Sequence, residues 1–209
     1  MVVKYICYSE FMKKGSIAKE KILKTSIKLF SRHGFDATSF QLIADKSKVS
    51  STAPLYYFKT KQDLIDEAIK MILNHNSTLL STMMLPTDSA NERIKKHFKF
   101  NLEWARQYRD EAQVILLVYY LSSFDKKWSQ KYSVILNAAR AKIVEILYAG
   151  LREKLFQFDM SPELMGEILH DSLLGGIVNA VAIHHSDNSS FDCLSNKWEQ
   201  LIKKLLMVQ

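Results

Sequence analysis

The chain has only two cysteines, Cys7 and Cys193, in 209 residues. They are too few and too scattered for a disulfide framework or a cysteine zinc site, and their scarcity suits a reducing, cytoplasmic setting. Three prolines and six glycines cannot supply the many tight turns of a sandwich or barrel. Long apolar runs are also absent. The longest, Val114 to Leu121, covers eight residues, whereas a membrane span needs about 20. Residues 1–8 mix Lys and Tyr into a short apolar run with no small-residue cleavage site, so no secretory signal is expected.

Catalytic signatures are missing as well. No Gly-rich phosphate loop, nucleophile elbow or His-Glu-x-x-His occurs, so neither an enzyme nor a cofactor is expected. One Glu-x-x-His is present, Glu167 to His170, with Asp171 beside it. A di-iron bundle needs a second such pair and two further glutamates. His184-His185 lies too far along to share ligation, so no metal site is expected and the motif reads as structural.

What is abundant is helix-forming sequence: long stretches of Leu, Ile, Lys, Glu and Ala between the few breakers. The charge is uneven. Residues 1–61 carry 12 Lys/Arg against four acids, while the other 148 residues carry 17 basic and 18 acidic groups. The net +7 therefore belongs to the first third of the chain. A basic head on a neutral body suits contact with a polyanion, since Lys and Arg release counterions from phosphates.

The pattern divides the chain into an N-terminal arm, 1–15, a head, 16–61, and a helical body, 62–209. From Ser16, Ile22, Leu23, Ser26, Ile27 and Phe30 recur at helical spacing, and Gly34 stands where a left-handed cap is wanted. A short helix is predicted from Ser39 with Thr38 as its N-cap. A third runs from a Ser50 cap to Tyr57, with Pro54 tolerated in its first turn. Thr60 caps a long fourth helix to about Met83. Beyond Pro86, helices are predicted at roughly 88–108, 110–124, 127–157, 161–185 and 190–207, about nine in all.

Three short helices after a basic arm describe a helix-turn-helix head, in which the second helix of the pair enters the major groove. Ser50, Ser51, Thr52 and Ala53 give that helix a small polar tip. Tyr56 and Tyr57 are placed to brace the sugar-phosphate backbone, with Leu55 and Phe58 marking a buried face nearby. Lys59 and Lys61 lie where the long helix begins and can hold a phosphate.

The spacing Ile22-Leu23…Leu29-Phe30…Gly34-Phe35…Thr38-Ser39…Ile43-Ala44…Val49-Ser50…Leu55-Tyr56-Tyr57-Phe58…Lys61…Leu64 resembles the N-terminal pattern of the TetR family of regulators over residues 17–70. The resemblance implies an all-α protein: a three-helix DNA-binding domain followed by a helical ligand-binding and dimerisation domain. It carries over Thr38, Ser39, Ser50, Thr52, Tyr57 and Lys61 as DNA contacts. Two positions depart from the pattern. Lys48 stands where the family has Gly before the turn valine, and Leu55 stands where it has the first Tyr of the aromatic group, so Tyr56 or Tyr57 must make that phosphate contact.

By the same resemblance, the body dimerises through its last two helices and binds a small molecule in the others. Leu173, Gly176, Ile177 and Ala180, with Trp198, Leu201, Ile202 and Leu205, are the candidate interface. Phe100, Trp104, Tyr108, Tyr119, Tyr120 and Phe124, from the aromatic-rich stretch 98–132, are the candidate lining for an apolar or aromatic ligand. The expected function is a cytoplasmic, ligand-responsive repressor that binds double-stranded DNA at a palindrome as a homodimer. Two rivals stand beside it: a DNA-binding regulator that senses no ligand, and a helical interaction module whose basic head meets an acidic protein.

Overall fold

In the computed structural model, which describes residues 2–182 and 188–206, the chain is all-α, with nine helices and no strand among those residues. None of these helices is long and apolar enough to cross a membrane. Two compact units form, Met1–His75 and Asn76–Gln209.

The first unit contains α1 (Val2–His33), α2 (Phe40–Ser47), α3 (Ala53–Tyr57) and the first part of α4 (Lys61–Met83). Helix α1 starts well before Ser16, so the predicted arm is helical. Residues 2–14 hold no proline or glycine, and the lone Gly15 costs only about 1 kcal/mol within a helix. Gly34, at φ +76°, ends α1 with its N–H on the Phe30 carbonyl. Ile22, Ile27, Phe30, Ile43, Phe58 and Leu64 fill the core, and Phe30 meets Phe35 edge-on at 5.1 Å. Lys19 bridges α1 to α4 through Glu67 at 3.2 Å.

Two caps differ from expectation. Ser39, not Thr38, caps α2: its hydroxyl accepts from the Leu42 N–H at 3.1 Å. Thr38 is fully buried and donates to the Gly34 carbonyl at 2.8 Å, which fixes the turn instead. Helix α3 begins at Ala53 with Thr52 at its N-cap, not Ser50. Proline has no N–H to give, so the helix starts late enough to hold Pro54 within its first turn. Thr60 does cap α4, exchanging bonds with Asp63 in both directions.

The second unit holds the end of α4 with α5 (Ala90–Gln107), α6 (Arg109–Ser122), α7 (Lys126–Arg152), α8 (Pro162–Ala182) and α9 (Asn188–Leu205). Helix α5 is central, packing on α6, α7, α8 and α9. Ser89 and Glu92 form a capping box at its start, Asp125 caps α7, and Ser161 accepts from the Leu164 N–H at the start of α8. Helix α7 stops at Arg152, short of the predicted 157. Lys154 turns left-handed at φ 59°, and the Leu155 N–H returns to the Gly150 carbonyl at 2.9 Å. The predicted stretch 183–185, with His184-His185, lies outside the described residues.

Candidate nucleic-acid interface

Burial along α3 follows the helical period and separates two faces. Pro54 and Phe58, four residues apart, point into the head, and the Phe58 N–H donates to the Pro54 carbonyl at 2.9 Å. The opposite face carries Leu55 and Tyr56, and Ser51 and Thr52 in the turn before the helix and Lys59 beyond the extended Phe58 are exposed as well. Ala53 and Tyr57 lie between the faces, half-buried, and Tyr57 meets Tyr56 edge-on at 5.1 Å. Ser50 is exposed in the turn just before, its hydroxyl 3.4 Å from that of Thr52.

Of the predicted contacts, Ser39, Ser50, Ser51, Thr52, Tyr56 and Lys59 are therefore solvent-facing, and Ala53 and Tyr57 partly so. Thr38 is not: no part of its side chain reaches solvent. Lys61 is half-buried, and its ammonium donates to the Asp36 carbonyl at 2.8 Å. Leu55 corrects the reading of a buried leucine face. It is 54% exposed, because the proline beside it takes the inward position. Lys46 and Lys48 add exposed positive charge at the end of α2, and Gln41 is exposed on the same helix, its amide on Asp45.

Lys48 adopts the conformation that the glycine of the pattern would have, φ 54° and ψ 49°. Its N–H reaches the Ala44 and Asp45 carbonyls and ends α2. A side chain in this region is strained by Cβ crowding, at roughly 1 kcal/mol.

The predicted lining aromatics separate in the body. Phe100 and Trp104 are buried and Tyr108 is partly so, ending α5 with its N–H on the Trp104 carbonyl. Tyr119, Tyr120 and Phe124 are exposed, by 44%, 60% and 71%. They sit near the α6–α7 turn, Tyr120 against Phe124 and Tyr119 against Tyr132. Their inward neighbours on α6 are Val114 and Val118, so the helical phase turns these aromatics outward.

The candidate interface residues also redistribute. Leu173, Gly176, Ala180, Trp198 and Ile202 are buried inside this one chain, with Ile177, Leu201 and Leu205 at intermediate exposure. A Cβ on Gly176 would lie 2.7 Å from the Trp198 indole nitrogen and 3.0 Å from Leu102, so this glycine lets α8 close on α9 and α5. The outer face of α8 is a different stripe: Leu164, Ile168, Gly175 and Val178, all exposed.

Three features escaped the sequence reading. The Trp104 indole N–H is buried and meets no acceptor among the described residues. A buried indole N–H ordinarily finds a partner. His97, two turns before it on α5, is buried and neutral: burial first, then Lys142 and His170, pull its pKa down to about 4. Arg140 of α7 lies between Glu167 and Asp171 of α8, at 3.5 and 3.0 Å, which gives the Glu-x-x-His stretch a structural use. Burial lowers the His170 pKa despite its contact with Asp171, and burial raises that of Tyr132 to about 12. A polar group on an apolar helix face carries no periodic signal, which is why His97 draws no reading and Trp104 stands out only as an aromatic.

Residues 22–68 match the family model for bacterial regulatory proteins of the tetR family. The chain is 31% identical over 100 residues to the uncharacterized HTH-type transcriptional regulator YerO of Bacillus subtilis; the match spans 47% of this chain and only 35% of that relative. It is 24% identical over 144 residues to IcaR of Staphylococcus aureus, the HTH-type negative transcriptional regulator of the biofilm operon icaADBC, covering 68% of this chain and 75% of the relative. A protein from Saccharomonospora viridis, assigned as a transcriptional regulator and solved in complex with choline, shares the fold with a TM-score of 0.74 at 21% identity, over 90% of this chain and 96% of that one.

Proposed function

We propose, from the match of residues 22–68 to the family model for bacterial regulatory proteins of the tetR family, that the chain is a transcriptional repressor whose head binds DNA and whose operator is a palindrome read by a homodimer. The observation that carries this reading is the outward face of α3, with Ser51, Thr52, Leu55, Tyr56 and Lys59 free to meet DNA in a head that holds the whole positive excess of the chain. Repression is supported by the negative regulation in the name of the Staphylococcus aureus relative.

In this reading residues 16–61 touch DNA and residues 62–209 dimerise and sense. Ser39, Ser50, Ser51, Thr52 and Tyr56 reach base edges or phosphates, with Ala53 and Tyr57 close enough to pack on the backbone. Lys59 and Lys61 meet phosphate where α4 begins. Thr38 acts through the turn that it holds. Two copies pair through the outer stripe of α8, Leu164, Ile168, Gly175 and Val178, in place of the inward residues of that helix. Symmetric pairing sets the two heads on half-sites about 34–36 Å apart or a multiple of that.

The effector is an apolar or aromatic small molecule seated against α5 near Phe100, Trp104 and Tyr108. The orphan Trp104 N–H supports that position, since an acceptor on a ligand would satisfy it. Ligand binding favours a spacing of the heads that misfits the half-sites, and DNA is released. Selection of bound sequences from random duplex DNA tests the core of this reading. An enriched palindrome is expected; salt-sensitive binding to any duplex with no enrichment would overturn it.

A further inference from the structure

Leu55 is the one aliphatic side chain on the outward face of α3, and the function proposed above gives it no specific contact. Pro54 is buried and Phe58 bonds to its carbonyl, while the Tyr56 N–H bonds to the Thr52 carbonyl at 3.0 Å. These contacts hold the short helix on both sides of Leu55 and turn its side chain outward. An exposed leucine by itself means little. Its surroundings make this one informative: exposed hydroxyls at Ser51 and Thr52 just before the helix, Tyr56 beside it and the exposed Lys59 just beyond the helix end.

Chemistry narrows what such a face can read. From Ser50 to Phe58 there is no Arg, Lys, Asn, Gln, Asp, Glu or His. The two-pronged contacts that single out guanine and adenine therefore cannot come from α3. Hydroxyls bond to several base edges and discriminate weakly. Among the four bases only thymine offers the major groove an apolar group, its C5-methyl, and aliphatic side chains pack on it. The occupant of the face is fixed by charge, because a head with 12 basic and four acidic residues favours a polyanion.

We propose that Leu55 is a specificity-determining residue that packs on a thymine methyl in each half-site, so that the operator is read by α3 chiefly through thymine. This rests on the DNA-reading function proposed above and names the chemistry it uses. Burying one methyl against Leu55 corresponds to a preference of about three- to fivefold per half-site.

The test uses the full-length protein and the best duplex from random-sequence selection. Each thymine of the half-site is replaced in turn by deoxyuridine, which removes the methyl and keeps every hydrogen-bonding group. Wild-type protein is expected to lose about three- to fivefold in affinity at one thymine per half-site, and roughly tenfold or more when both half-sites are changed. Leu55→Ala, whose thermal unfolding should match wild type since the side chain is exposed, is expected to bind more weakly and to treat thymine and deoxyuridine alike. Affinity that is indifferent to every replacement overturns the proposal while leaving DNA reading intact. So does a methyl preference that persists undiminished in Leu55→Ala. A selection that enriches nothing overturns the DNA-reading function itself, and this proposal with it.

Discussion

The Lys61 ammonium donates to the Asp36 carbonyl at 2.8 Å, tying the first turn of α4 to the turn that leads into α2. One lysine thus stands at the edge of the proposed DNA face and also holds a loop beside it. Lys59, two residues earlier, is simply exposed. The pair separates phosphate contact from positioning. Each phosphate contact contributes about 0.9 to the slope of log affinity against log salt, so losing one from each subunit of the dimer lowers it by about 1.8. Both Lys59→Ala and Lys61→Ala should show that drop on any duplex. Only Lys61→Ala should also lower thermal stability, by no more than about 1 kcal/mol for an exposed hydrogen bond. An unchanged salt slope in Lys61→Ala would make it a tether alone.

Two lysines occupy left-handed backbone, Lys48 at φ 54° and Lys154 at φ 59°. Glycine removes the Cβ crowding there, and the gain is partly offset by its greater freedom when unfolded. Lys48→Gly and Lys154→Gly should each raise stability in urea unfolding, by about 0.5–1 kcal/mol. Lys48 lies in the head at the end of α2, so only its substitution should weaken DNA binding. A loss of stability in both variants would mean that their side chains contribute more than the strain costs.

What could be read in the sequence was local. Gly34, Thr60, Ser89 and Ser161 mark helix ends because a cap needs only a few neighbouring residues, and the structure places helix ends at each. The phase of α3 was harder. Over five residues the apolar pattern cannot say whether Pro54 or Leu55 turns inward; the structure buries Pro54 and leaves Leu55 exposed. Helix α8 poses the opposite problem. It is apolar on nearly every side, so its period does not distinguish Leu173 and Gly176, which are buried, from Leu164, Ile168 and Val178, which are exposed. The aromatic-rich stretch 98–132 spans two helix junctions, so the phase of α5 that buries Trp104 does not carry through to Tyr120 and Phe124, which are exposed.

Adjacent glycines on α8 should respond oppositely to alanine. Gly176 has the Trp198 indole and Leu102 where a Cβ would go, whereas Gly175 has open space. Gly176→Ala should destabilise by about 1–3 kcal/mol through overpacking. Gly175→Ala should stabilise the isolated protomer by up to about 1 kcal/mol from helix propensity. If the outer stripe of α8 is the dimer interface, the same change should also shift the dimer–monomer equilibrium, read by sedimentation across a concentration series. A monomer at every concentration, for wild type as well, would remove the proposed interface.

The unpaired Trp104 N–H makes an unusual substitution pattern testable. Trp104→Phe deletes a buried donor that has no acceptor among the described residues, and leaving such a donor unpaired costs about 1–3 kcal/mol. The lost ring volume opposes that gain, so the ligand-free variant should unfold within about 1 kcal/mol of wild type, a loss well below the usual cost of truncating a core tryptophan. Its DNA should no longer be released by compounds that release wild type. A large loss of stability would show instead that the N–H already has a partner.

His97 gives the body a stability that depends on pH, and the sign follows from its position. Burial first, with the positive Lys142 on α7 and His170 on α8 adding to it, lowers its pKa from 6.5 to about 4 in the folded chain. The unfolded chain therefore binds this proton more readily than the folded one between those two values. Stability rises with pH across that window: above 6.5 nothing is lost, and as pH falls towards 4 the folded state gives up progressively about 3 kcal/mol. The lowered pKa of His170 acts in the same direction. Urea midpoints measured from pH 7.5 to 4.5 should decline, and His97→Leu should flatten most of the decline above pH 5, where few carboxylates are protonated. His170→Asn should flatten a smaller part. A decline of equal steepness in His97→Leu would mean that this ring is reached by water or by a proton-accepting partner in the folded body, and that its neutrality is not enforced by the packing of α5 on α7 and α8.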